Sequence, residues 1–245
     1  MRGEYSVKRW LFVGKSDKRD LVLYLCSALA AAGSKVLLTD GTENSKYRYS
    51  IGGGDWYLPL TEFYGFDVAW GMSSFSNLSS AKQSSEGAGV ANEYDYELQD
   101  VDTLQGLTPE MFASVDEIVW VTSFDRYEVE ASAQWFRSLF HLWPQLRGMA
   151  VRPVFIRTVD SGVNSRFILG LLDDLPLEWR SAELCIPWNE SNLAVQLENE
   201  HTQRLRLGSL SRSYKRALRQ LLRELADWDP AIAKRAVRRA ERRQA

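Results

Sequence analysis

The chain has 245 residues, 45% of them hydrophobic, with 30 Lys+Arg against 32 Asp+Glu. At about 150 residues per domain the length suits one α/β domain, with a core large enough to need no staples. Two cysteines, Cys26 and Cys185, and two histidines, His141 and His201, exclude a disulfide scaffold, a multi-Cys zinc module and a His-rich metal centre. No apolar stretch approaches the roughly 20 residues of a membrane span. The N-terminus lacks a basic region followed by an apolar one, so the expected location is cytoplasmic.

In chain order, Trp10–Val13 reads as a strand ending at Gly14. Asp20–Ala32 keeps a helical period through Leu21, Leu25, Ala28 and Leu29. Gly33 stands where a helix C-cap favours positive φ. Lys35–Thr39, closed by Asp40-Gly41, is a second strand, and the whole is a βαβ unit that implies a parallel sheet. Further strands are expected at Phe66–Trp70, in the segment leading to Asp100, and at Glu117–Thr122, Val151–Thr158 and Ala182–Ile186. Helices are expected at Tyr127–Phe140, Ser165–Leu172 and Leu210–Trp228, with another starting at Asp229-Pro230. The Ser- and Gly-rich stretch at about 73–93 reads as a flexible loop. The expected fold is one doubly wound α/β domain over residues 1–228, followed by a basic C-terminal helix over 229–245.

Charge is uneven along the chain. Residues 204–245 hold 13 Lys/Arg and 4 Asp/Glu, a charge of +9, while the rest carries 17 against 28, or −11. Lys234, Arg235, Arg238, Arg239, Arg242 and Arg243 are spaced to form one helix face, backed by Ala231, Ile232, Ala236, Val237 and Ala240. That face suits an anionic partner, and it lacks the large apolar residues of a membrane-inserting helix. An acidic protein, a nucleic acid and an anionic membrane surface all remain open, as does a merely solvated face.

In open parallel sheets ligands bind at the carboxyl ends of the strands, near the first βα turn. Here that turn is Gly14-Lys15-Ser16-Asp17-Lys18-Arg19-Asp20-Leu21. A phosphate loop needs glycines so that backbone N–H groups can curl around the phosphates, a lysine for them, and a Ser/Thr hydroxyl for Mg²⁺. This loop stands in the right place with mostly different chemistry.

The chain resembles the deviant-Walker ATPases of the MinD/ParA group, most closely the CpaE/TadZ-like and flagellar-number-regulator branches, over nearly its whole length. That group carries G-K-G-G-x-G-K-[ST] at this turn. Gly14 and Lys15 match its first two positions, and Lys15 is placed as the signature lysine that crosses a dimer to the partner's nucleotide. Ser16, Asp17 and Arg19 replace glycines, while Asp20 and Leu21 stand at the lysine and hydroxyl positions, a degenerate Walker A. Val36–Asp40 is similar to the strand whose terminal Asp positions the attacking water. Asp95–Asp100 is similar to the Walker B strand, with Asp100 on the Mg²⁺ side. Cys185-Ile186-Pro187-Trp188-Asn189-Glu190 resembles the turn beside the nucleotide base.

The resemblance implies a P-loop-type sheet and a homodimer. Asp17 and Asp20 oppose phosphate by like charge, so hydrolysis is expected to be absent or very slow. The leading expectation is a pseudo-ATPase acting as a dimeric scaffold or positioning factor for a membrane-associated machine such as a pilus or secretion assembly. Two alternatives stay open. One is a divergent ATPase binding ATP and Mg²⁺ through Gly14, Lys15, Ser16 and Lys18, with Asp40 and Asp100 as its carboxylates and Asp100 as the metal ligand. The other is a partition-type protein binding DNA through Arg235, Arg238, Arg239, Arg242 and Arg243. Lys46–Ser50 reads as an edge strand or dimer rim, with stacking on bases as the alternative, and Trp228 as a contact residue.

Overall fold

The computed structural model describes residues 7–52, 60–70, 94–180 and 184–243. The expected loop at 73–93 and the start of the strand expected at 182–186 lie outside them. The βαβ unit forms as expected, from β1 (Lys8–Val13), α1 (Arg19–Ala31) and β2 (Val36–Gly41). There follow α2 (Tyr47–Ile51), β3 (Leu60–Phe63), β4 (Phe66–Trp70), β5 (Tyr96–Val101), α3 (Pro109–Ala113), β6 (Glu117–Thr122), α4 (Arg126–Leu142) and β7 (Ala150–Thr158). The chain then continues through α5 (Ser165–Gly170), β8 (Glu178–Trp179), β9 (Leu184–Pro187), α6 (Glu190–Thr202), α7 (Arg212–Ala226) and α8 (Pro230–Arg242).

The strands form one sheet in the order β3-β4-β2-β5-β1-β6-β7, with β8 and β9 both pairing β7. All pairings are parallel except the β3–β4 hairpin. Its two-residue turn has positive φ at both Tyr64 (50°) and Gly65 (82°), the twist that tight hairpins favour. Pro153 lies well inside β7. The carbonyls of Met149 and Val151 accept from β8, so odd-numbered residues of β7 point their backbone polar groups to that side. The missing N–H of Pro153 falls on that side and removes no ladder bond to β6.

Alternate residues of β1 serve two cores, as a sheet covered on both faces requires. Trp10 and Phe12 face α1, α7 and α8, while Leu11 and Val13 face α3, α4 and α5. Helix α7 buries Tyr214, Ala217, Leu218, Leu221, Leu222 and Leu225, the stripe expected from its period. Helix α8 packs through Ala233, Ala236, Val237 and Ala240, joining the α1-side core. Trp228 meets Tyr96 edge-on at 6.3 Å and packs against the same core, so its contact lies within the chain.

Two local expectations are corrected. Lys46–Ser50 does not form an edge strand: Tyr47–Ile51 is a short helix whose Tyr47 is fully buried. Helix α6 was not foreseen, because its inward face carries Asn192, Val195 and Asn199 rather than an apolar stripe. Those asparagines are satisfied by hydrogen bonds: Asn192 accepts from the Ser211 N–H, and Asn199 donates to Tyr24 Oη and accepts from the Arg206 N–H.

Candidate functional site

The carboxyl ends of β1, β2, β5 and β6 meet at the loop that follows β1. Gly14 opens it with φ of +126°, and a Cβ there would stand 2.3 Å from the Val121 carbonyl oxygen. Only glycine fits such an approach.

Lys18, the residue just before α1, turns its side chain inward and is 2% exposed. Its Nζ lies 2.6 Å from Asp100 Oδ1 and donates to the carbonyl of Gly14 at 2.9 Å. Asp40 and Asp100 are register partners on adjacent strands, as the sequence order implies. Both carboxylates are held from within the chain. Asp100 Oδ2 accepts from Tyr47 Oη at 2.7 Å. Asp40 Oδ1 accepts from the N–H and hydroxyl of Thr42, and its Oδ2 from the Tyr47 N–H at 3.0 Å. Burial raises both carboxyls above the ordinary aspartate range, with Lys18 and Tyr47 pulling Asp100 back and Thr42 and Tyr47 pulling Asp40 back. The result is a buried chain of partners, Lys18–Asp100–Tyr47–Asp40, across the end of the sheet.

The loop's outer residues are equally engaged. Asp17 Oδ1 accepts from the Arg19 N–H at 3.2 Å, so a carboxylate sits at the N-terminus of α1, where the helix favours an anion. The Arg19 guanidinium grips Asp17 at 2.7 Å and reaches Glu200 at 3.1 Å. Lys15 Nζ donates to the Asp102 carbonyl, Lys46 Nζ pairs with Asp102 at 2.6 Å, and the Ser16 hydroxyl donates to Glu128. Glu128 also accepts from the Ser123 hydroxyl at 2.6 Å and pairs with Arg157 at 3.1 Å. Arg157 holds φ of 53°, a left-handed conformation that costs a non-glycine residue about 1–3 kcal/mol and is stabilised here by contacts to Glu128 and the Asp17 carbonyl.

Asp20 does not face this hollow. It accepts from Tyr214 Oη at 3.0 Å and borders a neighbouring cleft with an empty volume of about 530 Å³, lined also by Arg157, Pro187, Trp188, Asn189 and Asn192. The Pro187–Asn189 turn singled out in the sequence therefore lies beside the loop. Of the basic tail, Arg235, Arg238, Arg239 and Arg242 are exposed on α8, while Arg243 donates to the carbonyls of Tyr64 and Ala30 and ties α8 to the domain.

Sequence reasoning placed Arg19 in the loop and read Lys46 and Tyr47 as a rim or base-stacking segment, and it missed Asp102, Glu128 and Arg157 as members of the site. Of these three, Glu128 had a local signal: Asp125 three residues earlier, the spacing of a capping box, and Asp125 does accept from the Glu128 N–H.

Burial would raise the Asp17 carboxyl, but Arg19 beside it overrides that and holds it below the ordinary range. The folded state thus binds this proton less tightly than the unfolded chain does. The stabilisation is present above the ordinary aspartate value and is lost as pH falls through the folded one. Asp17→Asn is expected to be less stable than the wild type at pH 7 by up to about 1 kcal/mol, because the pair is partly exposed. Equilibrium denaturation should find that gap closing as the pH falls below the ordinary aspartate range. A gap unchanged by acid would refute the ionic origin.

This sheet order, with a loop between β1 and α1 and paired aspartates at the ends of β2 and β5, is a MinD/ParA-like P-loop fold. The chain is similar in structure to a ParA family ATPase from Chlorobium tepidum TLS, with a TM-score of 0.56 at 13% identity over 97% of this chain and 98% of that one. It is similar to the MinC:MinD cell division protein complex of Aquifex aeolicus, at 0.56 and 11% over 98% of each chain. A third likeness is to a plasmid partition protein from Borrelia burgdorferi B31 bound to AMPPNP, at 0.57 and 12% over 91% and 99%. No protein-family profile matches the chain. No curated protein matches it in sequence. No helix among the described residues is long and apolar enough to cross a membrane.

Proposed function

We propose that this chain is a non-hydrolysing relative of the MinD/ParA ATPases, a pseudo-ATPase that acts by binding, as a dimeric scaffold or positioning factor. The observation that carries this reading is that the groups a phosphate loop would offer to a nucleotide already serve one another. Lys18 is paired with Asp100, and both oxygens of Asp40 are held by Thr42 and Tyr47. The Asp17 carboxylate takes the helix N-terminus that would attract phosphate. A Mg-nucleotide fits this donor set poorly. Leu21 offers no hydroxyl for the metal, and the described residues contain no cluster of three or more His, Cys, Asp or Glu placed to hold one. The Lys18 ammonium could meet a phosphate only by leaving its buried partner Asp100, which is costly.

The AMPPNP-bound Borrelia protein has a similar fold, so a nucleotide remains a candidate structural ligand of this chain. The MinC-bound Aquifex relative supports a protein partner. The CpaE/TadZ-like resemblance points that partner towards a pilus or secretion machine at the inner face of a membrane, and the exposed cations of α8 suit an acidic surface on it.

Phosphate release from Mg-ATP by the purified chain, followed beside sedimentation velocity, tests this. The expected result is no release above buffer together with a dimer. Turnover that Lys15→Ala abolishes would overturn the pseudo-ATPase reading. A chain that stays monomeric with and without nucleotide would overturn the dimeric scaffold.

A further inference from the structure

Away from the loop, a second cleft opens between the β3–β4 turn, the segment joining α6 to α7, and the end of α8. Its empty volume is about 720 Å³, and Tyr64, Arg204, Arg206, Gly208, Glu241 and Arg243 line most of it. Three arginines from two separate stretches of chain border it. Arg243 is fixed by its bonds to the Tyr64 and Ala30 carbonyls.

Seven of the 22 arginines of the sequence are held by carboxylates, and Arg204 and Arg206 are not among them. Arg9, Arg19, Arg126, Arg137, Arg152, Arg157 and Arg180 are each in an ion pair with a carboxylate. Among the described residues the Arg204 and Arg206 side chains have neither an ionic nor a hydrogen-bonded partner. The acid in the cleft, Glu241, already faces Lys215 at 3.6 Å. Three arginines and Lys215 thus stand against the single carboxylate of Glu241, and an anion placed among them lowers the repulsion between like charges. Guanidinium forks suit phosphate, which they bind through paired N–H donors.

We propose that this cleft binds the phosphate group of a small phosphorylated molecule, at a site separate from the loop after β1. Its shape favours a small ligand over a polymer or a lipid surface. The arginines line a concavity whose walls include Tyr64 and Leu205, surfaces for the body of a metabolite. The outward cations of α8, by contrast, lie on a convex helix face. Leu205 and Arg204 also border a smaller cleft beside Arg19 and Asp20, so occupancy here is adjacent to the loop's ion pairs without using them.

The test is calorimetric titration of the full chain with pyrophosphate and with a sugar monophosphate, at low and raised salt. Binding is expected that weakens with salt. It should fall about tenfold or more in Arg204→Gln/Arg206→Gln, which alters two exposed residues and is checked for fold by its melting curve. Lys15→Gln should leave it unchanged, which separates this site from the loop. Arg206→Glu, a charge reversal, should abolish it. Absence of binding to both probes would overturn the proposal, as would binding that the double variant leaves intact or that Lys15→Gln removes. Retention on DNA or on phosphatidylglycerol vesicles, with no heat from either small probe, would overturn it in favour of the α8 face.

Discussion

Replacing Lys18 with methionine is expected to reduce folding stability by about 3–5 kcal/mol, because it strands a carboxylate in the core. Lys18 and Asp100 are 2% and 1% exposed and 2.6 Å apart. Without the ammonium, Asp100 keeps only Tyr47 Oη as an uncharged donor, and the carbonyl of Gly14 loses its partner. A buried carboxylate in that state takes up a proton, so the loss should be smaller in mild acid than at pH 7, as burial already raises Asp100. The double variant Lys18→Met/Asp100→Asn should recover a large part of the loss, since asparagine can still accept from Tyr47 and carries no charge. Denaturant melts of the wild type, the two single variants and the double variant close the cycle. A cost below about 1 kcal/mol for Lys18→Met would show that the pair is not part of the fold's support. The pseudo-ATPase reading would then lose its main physical argument.

Gly14→Ala is expected to reduce stability by about 3 kcal/mol or more. Two effects combine. The residue holds φ of +126°, outside the range of an L side chain, and the new Cβ would stand 2.3 Å from the Val121 carbonyl oxygen and 3.3 Å from the Trp120 ring. The neighbour is strand backbone, so relief requires β1 and β6 to part or the loop to lift. Lifting the loop would pull the Gly14 carbonyl away from Lys18 Nζ. Thermal melts would therefore show a lowered Tm, and amide exchange should speed up in the loop and in the last residues of β6. Gly33, also at positive φ, is the control. A Cβ there meets nothing within 4 Å, so Gly33→Ala carries backbone strain alone and should cost clearly less.

Much of the fold was legible in order and spacing. Runs such as Trp10–Val13 and Ile118–Val121 are apolar on both faces because a parallel sheet is covered on both faces, and α7 shows its buried stripe openly. Where the pattern was silent, polar groups were doing the packing. Helix α6 buries two asparagines, and Tyr47 looked like part of a polar surface segment although its ring fills the core and its hydroxyl bonds Asp100. No rule of spacing reveals a partner 53 residues away.

The site divides in the same way. The sequence alone determined that a loop beginning at Gly14 follows the first strand, that aspartates end the second and the Asp100 strands, and that the last helix carries a row of cations. These follow from hydrophobic periodicity and from residue identity, which are local. Only the tertiary structure decided which charges face each other. It turned Lys18 inward to Asp100, sent Asp20 to Tyr214, seated Asp17 on the helix that should receive phosphate, and drew Arg204, Arg206 and Arg243 to one cleft. Electrostatic partnership depends on distances of a few ångströms between segments far apart in the chain, and the fold sets those distances only when it closes.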